Sequence, residues 1–222
     1  MIILHHLENS RSQRVLWLLE ELELPYEIVR YQRDPDTLLA PQDLRKIHPL
    51  GKSPVIVDEG VTVAESGAIL EYLIERHGNG RLAPPQNSPQ RPRYTYWMHY
   101  AEGSPMPLLL MKLVFSRIRK SPAPFFVRPV LRAVVDRVSN YFLDPQLRLH
   151  LDYMEAELAH APWFVGDEFT AADIQMSFPL EAAASRAGLD ERRPHLMDWL
   201  RRIHARPAYQ RALERGGPFG LG

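Results

Sequence analysis

GKSPVI at residues 51–56 and ESGAIL at residues 65–70 decide the fold of this chain. Pro54 enters an apolar run, and because proline cannot donate a ladder hydrogen bond, it marks a strand start, an edge or a cis turn. Each of these arrangements leaves main-chain groups free for a ligand. Glu65 and Ser66 then open an amphipathic segment, where unpaired N–H groups meet the positive end of a helix dipole and favour a carboxylate. The two stretches together predict a peptide-binding edge.

The apolar spacing around these stretches predicts a small α/β domain. Short apolar or alternating runs indicate strands, and apolar residues at three- and four-residue spacing indicate helices. A strand, helix, strand unit normally holds its two strands parallel. An Asp-Glu-Gly turn favours a hairpin. The predicted elements are strands at residues 2–6 and 27–31 with a helix between them, a hairpin of residues 55–57 and 61–63, and a helix at residues 66–76.

The second half of the chain is predicted to be all helical. From Arg91 onward no strand alternation occurs, and prolines make the helical region at residues 125–160 irregular near Pro145. Thr170 and Asp173 form a capping-box pattern, in which the threonine caps a helix and the aspartate reaches back. We predict a first domain at residues 1–78, a linker at residues 79–90 and an all-helical domain at residues 91–222.

The composition excludes several classes of site. The 222-residue chain carries 27 basic and 27 acidic side chains, so no net field favours nucleic acid or an anionic membrane. It has no cysteine, which excludes disulfides, thiolate zinc sites and a cysteine nucleophile. The most apolar run, residues 105–115, is shorter than the ~20 residues that a spanning helix needs. We therefore expect a cytoplasmic protein without nucleic-acid or membrane partners.

These motifs resemble those of the cytosolic glutathione transferases. The resemblance rests on residues 51–56 and 65–70, and extends to residues 10–15, to the capping box after Gly166-Asp167, and to the closing WLRRIHARPAY at residues 199–209. It implies that family's fold class, an N-terminal thioredoxin-like α/β domain with a mixed four-stranded sheet and a C-terminal helical bundle. It also implies an enzyme that conjugates glutathione to small hydrophobic electrophiles, with peroxide reduction as a side activity.

The resemblance further implies how the thiol of glutathione is activated. A free cysteine thiol has a pKa near ~8.5, and lowering it by ~2 units takes about 2.7 kcal/mol of preferential stabilisation of the thiolate. The runs at residues 10–12 and 16–19 resemble those of a serine-type bacterial and fungal subgroup. In serine-type members, a serine four residues before an arginine donates the stabilising hydrogen bond. Ser10 stands four before Arg14. Without the resemblance, such a serine is an ordinary helix cap. Ser12 and Asn9 are the alternative contacts of the sulfur.

The glutathione contacts follow from the same resemblance. Related proteins hold the proline at the position of Pro54 in a cis peptide, so that Ser53 pairs its main chain with the cysteinyl main chain of glutathione, a form of strand addition. Lys52 is expected at the glycyl carboxylate, Ser66 at the γ-glutamyl carboxylate and Glu65 at the γ-glutamyl ammonium. The competing interpretation of Lys52 is a solvated loop lysine, and that of Glu65 and Ser66 is ordinary helix-start chemistry.

The pocket for the electrophile draws, in this family, on the first helix of the second domain. This predicts contributions from Tyr100 and Ser104, against the competing interpretation that aromatic residues on that helix are plain core. Adjacent His5 and His6 point to opposite faces of a strand, so no metal site is expected.

The remaining expectations concern ligands and assembly. Glutathione is the co-substrate, no other cofactor is expected, and the family implies a homodimer. The alternative function is a non-catalytic glutathione-binding or regulatory protein on the same scaffold.

Overall fold

The first part of the chain forms a mixed four-stranded sheet. In the computed structural model, which describes residues 1–35, 37, 39–217 and 220, the strands lie in the order β2-β1-β3-β4. β1 runs parallel to β2 and antiparallel to β3, and β3 runs antiparallel to β4. The predicted parallel unit and hairpin are therefore both present. The strand bounds are β1 Ile2–Leu7, β2 Tyr26–Tyr31, β3 Val55–Asp58 and β4 Val61–Ala64.

Helices account for the rest of the regular structure. A 3₁₀ segment covers Gln42–Lys46, and from residue 91 onward every regular element of the described chain is helical, apart from an isolated bridge between Trp163 and Gly166. This confirms the predicted fold class. None of the described helices is both long and apolar enough to cross a membrane. The helix bounds are α1 Ser12–Glu21, α2 Ser66–His77, α3 Arg91–Gly103, α4 Pro105–Lys120, α5 Arg128–Val138, α6 Asp144–His160, α7 Ala171–Arg186, α8 Pro194–His204 and α9 Pro207–Gly216.

The irregularity expected near Pro145 lies just before it. α5 and α6 are joined by a π-helical segment at Ser139–Leu143. Pro145 itself is in the first turn of α6, where its missing N–H would have had no intrahelical partner. The irregularity therefore lies in the π segment, and the proline starts a helix without interrupting one.

One hydrophobic core runs through both halves of the chain. Trp17 of α1 is buried and packs edge-on against Tyr209 of α9, with ring centroids 5.1 Å apart. Arg206 Nε pairs with Glu21 at 2.6 Å across the same contact. α2 ends at His77 and α3 begins at Arg91, but because the core is shared, the division into separate domains at residues 78 and 91 stays a prediction.

The capping box predicted from Thr170 and Asp173 is present at the start of α7. Thr170 Oγ1 accepts from Ala172 N at 3.3 Å, and Asp173 Oδ2 accepts from Thr170 N at 3.0 Å. The other carboxylate oxygen of Asp173 accepts from Phe164 N and from Trp199 Nε1, each at 3.1 Å. One buried carboxylate therefore joins α7 to α8 and to the loop before α7.

The variant Asp173→Ala tests this junction. It leaves buried N–H donors of Phe164, Thr170 and Trp199 without their acceptor, and each such loss costs ~1–3 kcal/mol. We expect the free energy of unfolding, measured by urea titration, to fall by about 3 kcal/mol. Asp167→Ala, at an exposed position in the preceding segment, should stay within about 0.5 kcal/mol of the wild type. Equal losses in both variants would contradict the assignment.

Candidate functional site

One cavity of about 290 Å³ collects the residues predicted to hold glutathione. It lies between the loop before β3, the start of α2 and the end of α3. A larger cavity of about 560 Å³, between α4, α6 and the turn after α7, contains none of the predicted site residues. The smaller cavity is lined by Arg11, His48, Leu50, Lys52, Ser53, Pro54, Ala64, Glu65, Ser66 and Glu102.

The loop before β3 presents its main chain to this cavity. The peptide between Ser53 and Pro54 is cis, as predicted. The pairing of β1 with β3 ends at His5 and Val55, and beyond it the Ser53 hydroxyl donates to His5 O at 2.9 Å and accepts from Leu7 N at 3.2 Å. This hydroxyl continues the hydrogen-bond ladder of β1. Because the side chain of Ser53 is turned towards β1, the residue offers its main chain to a ligand.

The start of α2 forms the opposite wall. Glu65 has φ 71° and ψ 124°, a conformation that costs a non-glycine residue about 1–3 kcal/mol, and its side chain is exposed. Ser66 begins the helix and is only 3% exposed. The first N–H groups of a helix have no intrahelical acceptor, so they favour an anion at this wall.

A buried arginine supports this wall from behind. Arg14 is 1% exposed, and its Nη1 donates to Gln175 Oε1 at 2.7 Å and to Ser66 Oγ at 3.4 Å. Its Nη2 donates to Glu102 Oε1 at 2.6 Å. Burial lowers the pKa of Arg14 to about 10, against the raising effect of Glu102, so the guanidinium is charged at neutral pH. It joins α1, α2, α3 and α7 at one point.

Glu102 is a cavity residue that the sequence did not reveal. Arg11 Nε donates to both of its oxygens, at 3.0 and 3.1 Å. Burial acts to raise the pKa of the Glu102 carboxyl, but Arg14 and Arg11 outweigh burial and hold the pKa below its ordinary value. Glu102 lies 88 residues from Arg14 in the chain, so no local pattern could have indicated the pair.

Ser10 lies in the turn before α1, next to the cavity-lining Arg11. It is 6% exposed, and its Oγ lies 2.8 Å from Ser12 Oγ and accepts from Ser12 N at 3.2 Å. Leu7 connects this turn to the cis-proline loop, because its N–H donates to Ser53 Oγ and its carbonyl accepts from Ser12 Oγ at 3.1 Å. Ser10 itself does not line the cavity, so the residue that contacts the sulfur stays a prediction.

Comparison with known proteins identifies the family. The glutathione S-transferase N-terminal domain matches residues 1–75, and the glutathione S-transferase C-terminal domain matches residues 131–207. Glutathione S-transferase 3 of Schizosaccharomyces pombe is 40% identical over 215 residues, which cover 97% of this chain and 88% of that protein. The chain belongs to the glutathione S-transferase family.

Two further comparisons agree with this membership. Glutathione S-transferase 1 of Saccharomyces cerevisiae is 33% identical over 228 residues, with 99% of this chain and 97% of that protein covered. The crystal structure of a glutathione S-transferase from Actinobacillus pleuropneumoniae superimposes with a TM-score of 0.80 at 30% identity, covering 100% of this chain and 94% of that one. The expectation of an enzyme of the glutathione S-transferase family is confirmed.

The residues predicted for the second substrate of a glutathione S-transferase lie apart from the cavity. Tyr100 is buried, its hydroxyl lies 2.6 Å from His150 Nδ1, and its ring packs near Tyr96 and Tyr153. Burial raises the pKa of Tyr100 above its ordinary value. Ser104 lies at the junction of α3 and α4. Neither residue lines the cavity, so the electrophile pocket of this glutathione S-transferase stays a prediction.

The two neighbouring histidines of β1 have separate partners. His5 Nδ1 lies 2.9 Å from the Tyr31 hydroxyl, whereas His6 Nδ1 lies 2.9 Å from Ser12 Oγ. Within the described part of the chain, no group of three or more histidine, cysteine or carboxylate side chains could hold a metal ion.

Glu102→Gln tests the support behind the cavity. It keeps the shape of the side chain but leaves Arg14 buried without its counter-ion, a change that costs ~3–5 kcal/mol for a fully buried pair. Because Glu102 is 32% exposed, we expect a smaller loss of about 2 kcal/mol in the free energy of unfolding at neutral pH. The folded-state pKa of Glu102 is depressed, so the wild-type advantage is present above the ordinary value of 4.5 and disappears as pH falls below it.

Glu157→Gln is the matched control. Glu157 pairs with Arg93 at 2.5 Å, but the Arg93 side chain is 40% exposed, so the arginine left behind is solvated and the loss should stay below about 1 kcal/mol. Urea unfolding of both variants across pH gives the comparison. A deficit of Glu102→Gln that persisted unchanged down to about pH 3 would rule out the ion pair as its cause.

Proposed function

We propose that this protein is a serine-type glutathione transferase, which holds glutathione in the 290 Å³ cavity and activates its thiol as a thiolate for addition to small hydrophobic electrophiles. The observation that carries the proposal is that Lys52, Ser53, Pro54, Glu65 and Ser66, each predicted from the sequence as a glutathione contact, line one cavity. Peroxide reduction is a side activity of the same thiolate.

The charges around the cavity complement those of the tripeptide. Glutathione has a carboxylate at each end and an ammonium at the γ-glutamyl end. Ser66 and the free N–H groups of α2 would bind the γ-glutamyl carboxylate, and Glu65 would bind the neighbouring ammonium. Lys52, exposed at the other end, would meet the glycyl carboxylate. These contacts fix the direction in which the tripeptide lies.

The middle of glutathione would bind through its main chain. Ser53 lies just before β3, beyond the last residue of β3 that pairs with β1 or β4, so the cysteinyl residue can pair with the main chain of Ser53 as an added strand. That pairing directs the sulfur towards the turn before α1. There the Ser10 hydroxyl would donate to the thiolate, with the positive end of the α1 dipole adding to the stabilisation.

A non-catalytic glutathione-binding protein is the second candidate. It is favoured by one observation: the Ser10 hydroxyl already has a hydrogen-bond partner in Ser12, and Ser10 does not line the cavity. Retention on immobilised glutathione tests binding, and conjugation of a generic aryl halide separates the enzyme from the binder. A homodimer, implied by the family, and a cytoplasmic location, expected from the composition, remain predictions, and size-exclusion chromatography with light scattering tests the first.

Ser10→Ala tests the thiol donor. We expect glutathione affinity to change less than about threefold, because the tripeptide main chain and carboxylates keep their contacts. Turnover at neutral pH should fall at least about tenfold, since losing about 1.4 kcal/mol of thiolate stabilisation raises the thiol pKa by a full unit. Ultraviolet absorbance of the bound thiolate across pH gives that pKa.

The alternative donors are tested in the same way with Ser12→Ala and Asn9→Ala. A wild-type turnover and thiolate pKa in Ser10→Ala would refute the role of Ser10, and the variant that shows the loss would identify the residue that touches the sulfur.

Glu65→Gln tests the γ-glutamyl end of the site. The change keeps the size of the side chain but removes the charge that would pair with the ammonium, so we expect the dissociation constant for glutathione to rise about tenfold. Isothermal titration calorimetry measures it. Glu59→Gln is the matched control, because Glu59 also has a positive φ, 48°, and is exposed, but lies outside the cavity. An equal effect of both substitutions on affinity would show that Glu65 has no specific contact.

A further inference from the structure

A continuous chain of buried hydrogen bonds runs from Ser10 to the last helix. Ser10 Oγ lies 2.8 Å from Ser12 Oγ, Ser12 Oγ lies 2.9 Å from His6 Nδ1, and His6 Nε2 lies 3.1 Å from Gly216 O. Ser10, Ser12 and His6 are 6%, 0% and 4% exposed. The chain therefore ends at a hydroxyl beside the cavity on one side and at the carboxyl end of α9 on the other.

Gly216 is closely packed against this chain. A Cβ atom at Gly216 would lie 2.7 Å from Gln13 Oε1, 2.8 Å from Leu16 Cδ2 and 3.3 Å from His6 Cε1, so the side chains of both Gln13 and Leu16 would have to move. The absence of a side chain at this position lets the α9 carbonyl approach the imidazole. The ring of His6 is thereby held between α9 and α1.

The positions of the protons follow from the partners. A carbonyl oxygen only accepts, so His6 Nε2 carries the hydrogen that bonds to Gly216 O. Burial lowers the pKa of His6, the bond to Gly216 raises it, and Arg30 lowers it, with a net lowering, so the imidazole is neutral at pH 7 and Nδ1 accepts from the Ser12 hydroxyl. Ser12 has one hydroxyl proton, which His6 Nδ1 at 2.9 Å shares with the Leu7 carbonyl at 3.1 Å as a second acceptor, so the hydrogen between the two serines comes from Ser10.

Among the described residues, the contacts of His6 include no carboxylate that could pair with an imidazolium. Among its described contacts, β2 contributes the cation Arg30, α1 the uncharged Ser12 and Gln13, and α9 the Gly216 carbonyl. In the absence of ligand the proton therefore does not stay on His6. A negative charge arriving at Ser10 would change this balance, because it would stabilise a positive charge at the far end of the chain.

We infer that His6 takes up the thiol proton of glutathione through Ser12 and Ser10. The S–H proton moves to Ser10 Oγ as the Ser10 proton moves to Ser12 Oγ and the Ser12 proton moves to His6 Nδ1. One S–H bond is broken and one N–H bond is formed, and the net charge is unchanged. The inference rests on the proposed role of Ser10 at the sulfur. His6 and Ser12 are positioning residues, since neither touches the thiol.

The transfer leaves the hydrogen bonds pointing towards the sulfur. His6 Nδ1 then donates to Ser12, Ser12 donates to Ser10, and Ser10 donates to the thiolate. In the resting arrangement the same hydrogens point the other way. Once the thiolate has reacted, the imidazolium has lost its counter-charge, and its proton returns through Ser12 and Ser10 to water in the cavity.

The proton count on binding tests the inference directly in the wild-type protein. Glutathione is added to weakly buffered enzyme near pH 7, thiolate formation is followed by ultraviolet absorbance, and proton release is followed with an indicator dye. S-methylglutathione, which has no thiol, gives the proton change due to the rest of the tripeptide. We expect thiolate to form with fewer than about 0.2 protons released per site after that correction. One proton released per thiolate would overturn the inference.

Variants of His6 provide the second test. His6→Asn keeps a polar atom near Ser12 but has no basic nitrogen, so we expect the pKa of bound glutathione to rise by about one unit, with about tenfold slower conjugation at pH 7 that recovers at high pH. His5→Asn is the matched control, because His5 is the adjacent residue, is equally buried and bonds to Tyr31. It should keep the wild-type pH profile.

The outcomes separate the inference from the proposed function. If Ser10→Ala keeps the wild-type thiolate pKa, then the role of Ser10 fails, and with it the inference. If Ser10→Ala loses the thiolate but His6→Asn keeps it, then only the relay fails. Affinity for S-methylglutathione shows whether His6→Asn is folded, and if it is not, the proton count in the wild type decides alone.

Discussion

The buried guanidinium of Arg14 is the interaction on which the geometry of the site depends. It satisfies Glu102, Gln175 and Ser66 at once, and these residues belong to three helices that are far apart in the chain. A buried charge needs its partners, because leaving it unpaired is strongly destabilising. The position of Ser66 relative to α1 is therefore set by electrostatics as well as by packing.

Two strained or unusual main-chain features lie on opposite walls of the same cavity. On one wall, where β3 stops pairing with β1, the Ser53 hydroxyl makes the hydrogen bonds to the main chain of β1. The main chain of Ser53 is therefore left to pair with another strand. On the other wall Glu65 adopts a positive φ at the start of α2. Strain of this kind persists only where the surroundings hold it in place, and here the buried Ser66 and Arg14 provide that support.

Local patterns in the sequence predicted most of the fold and the edges of the site. Alternation of apolar and polar residues predicted the hairpin, helical spacing predicted α1 and α2, and the Thr170 and Asp173 pair predicted the start of α7. Each of these patterns depends on residues close together in the chain. Glu102 and the bond from His6 to Gly216 depend on residues 88 and 210 positions apart. Such contacts are created by tertiary packing, so periodicity and capping patterns in the sequence could not predict them.

The return of α9 to α1 has a consequence for how the protein matures. Residues 207–216 cover Trp17, bind the His6 ring through Gly216 and lead to Gly220, whose N–H donates to Asn9 Oδ1 at 2.8 Å. Synthesis proceeds from the N-terminal side, so β1 and α1 leave the ribosome about 200 residues before α9. In the nascent chain, Trp17 and the His6 ring therefore stay uncovered until α9 has been made.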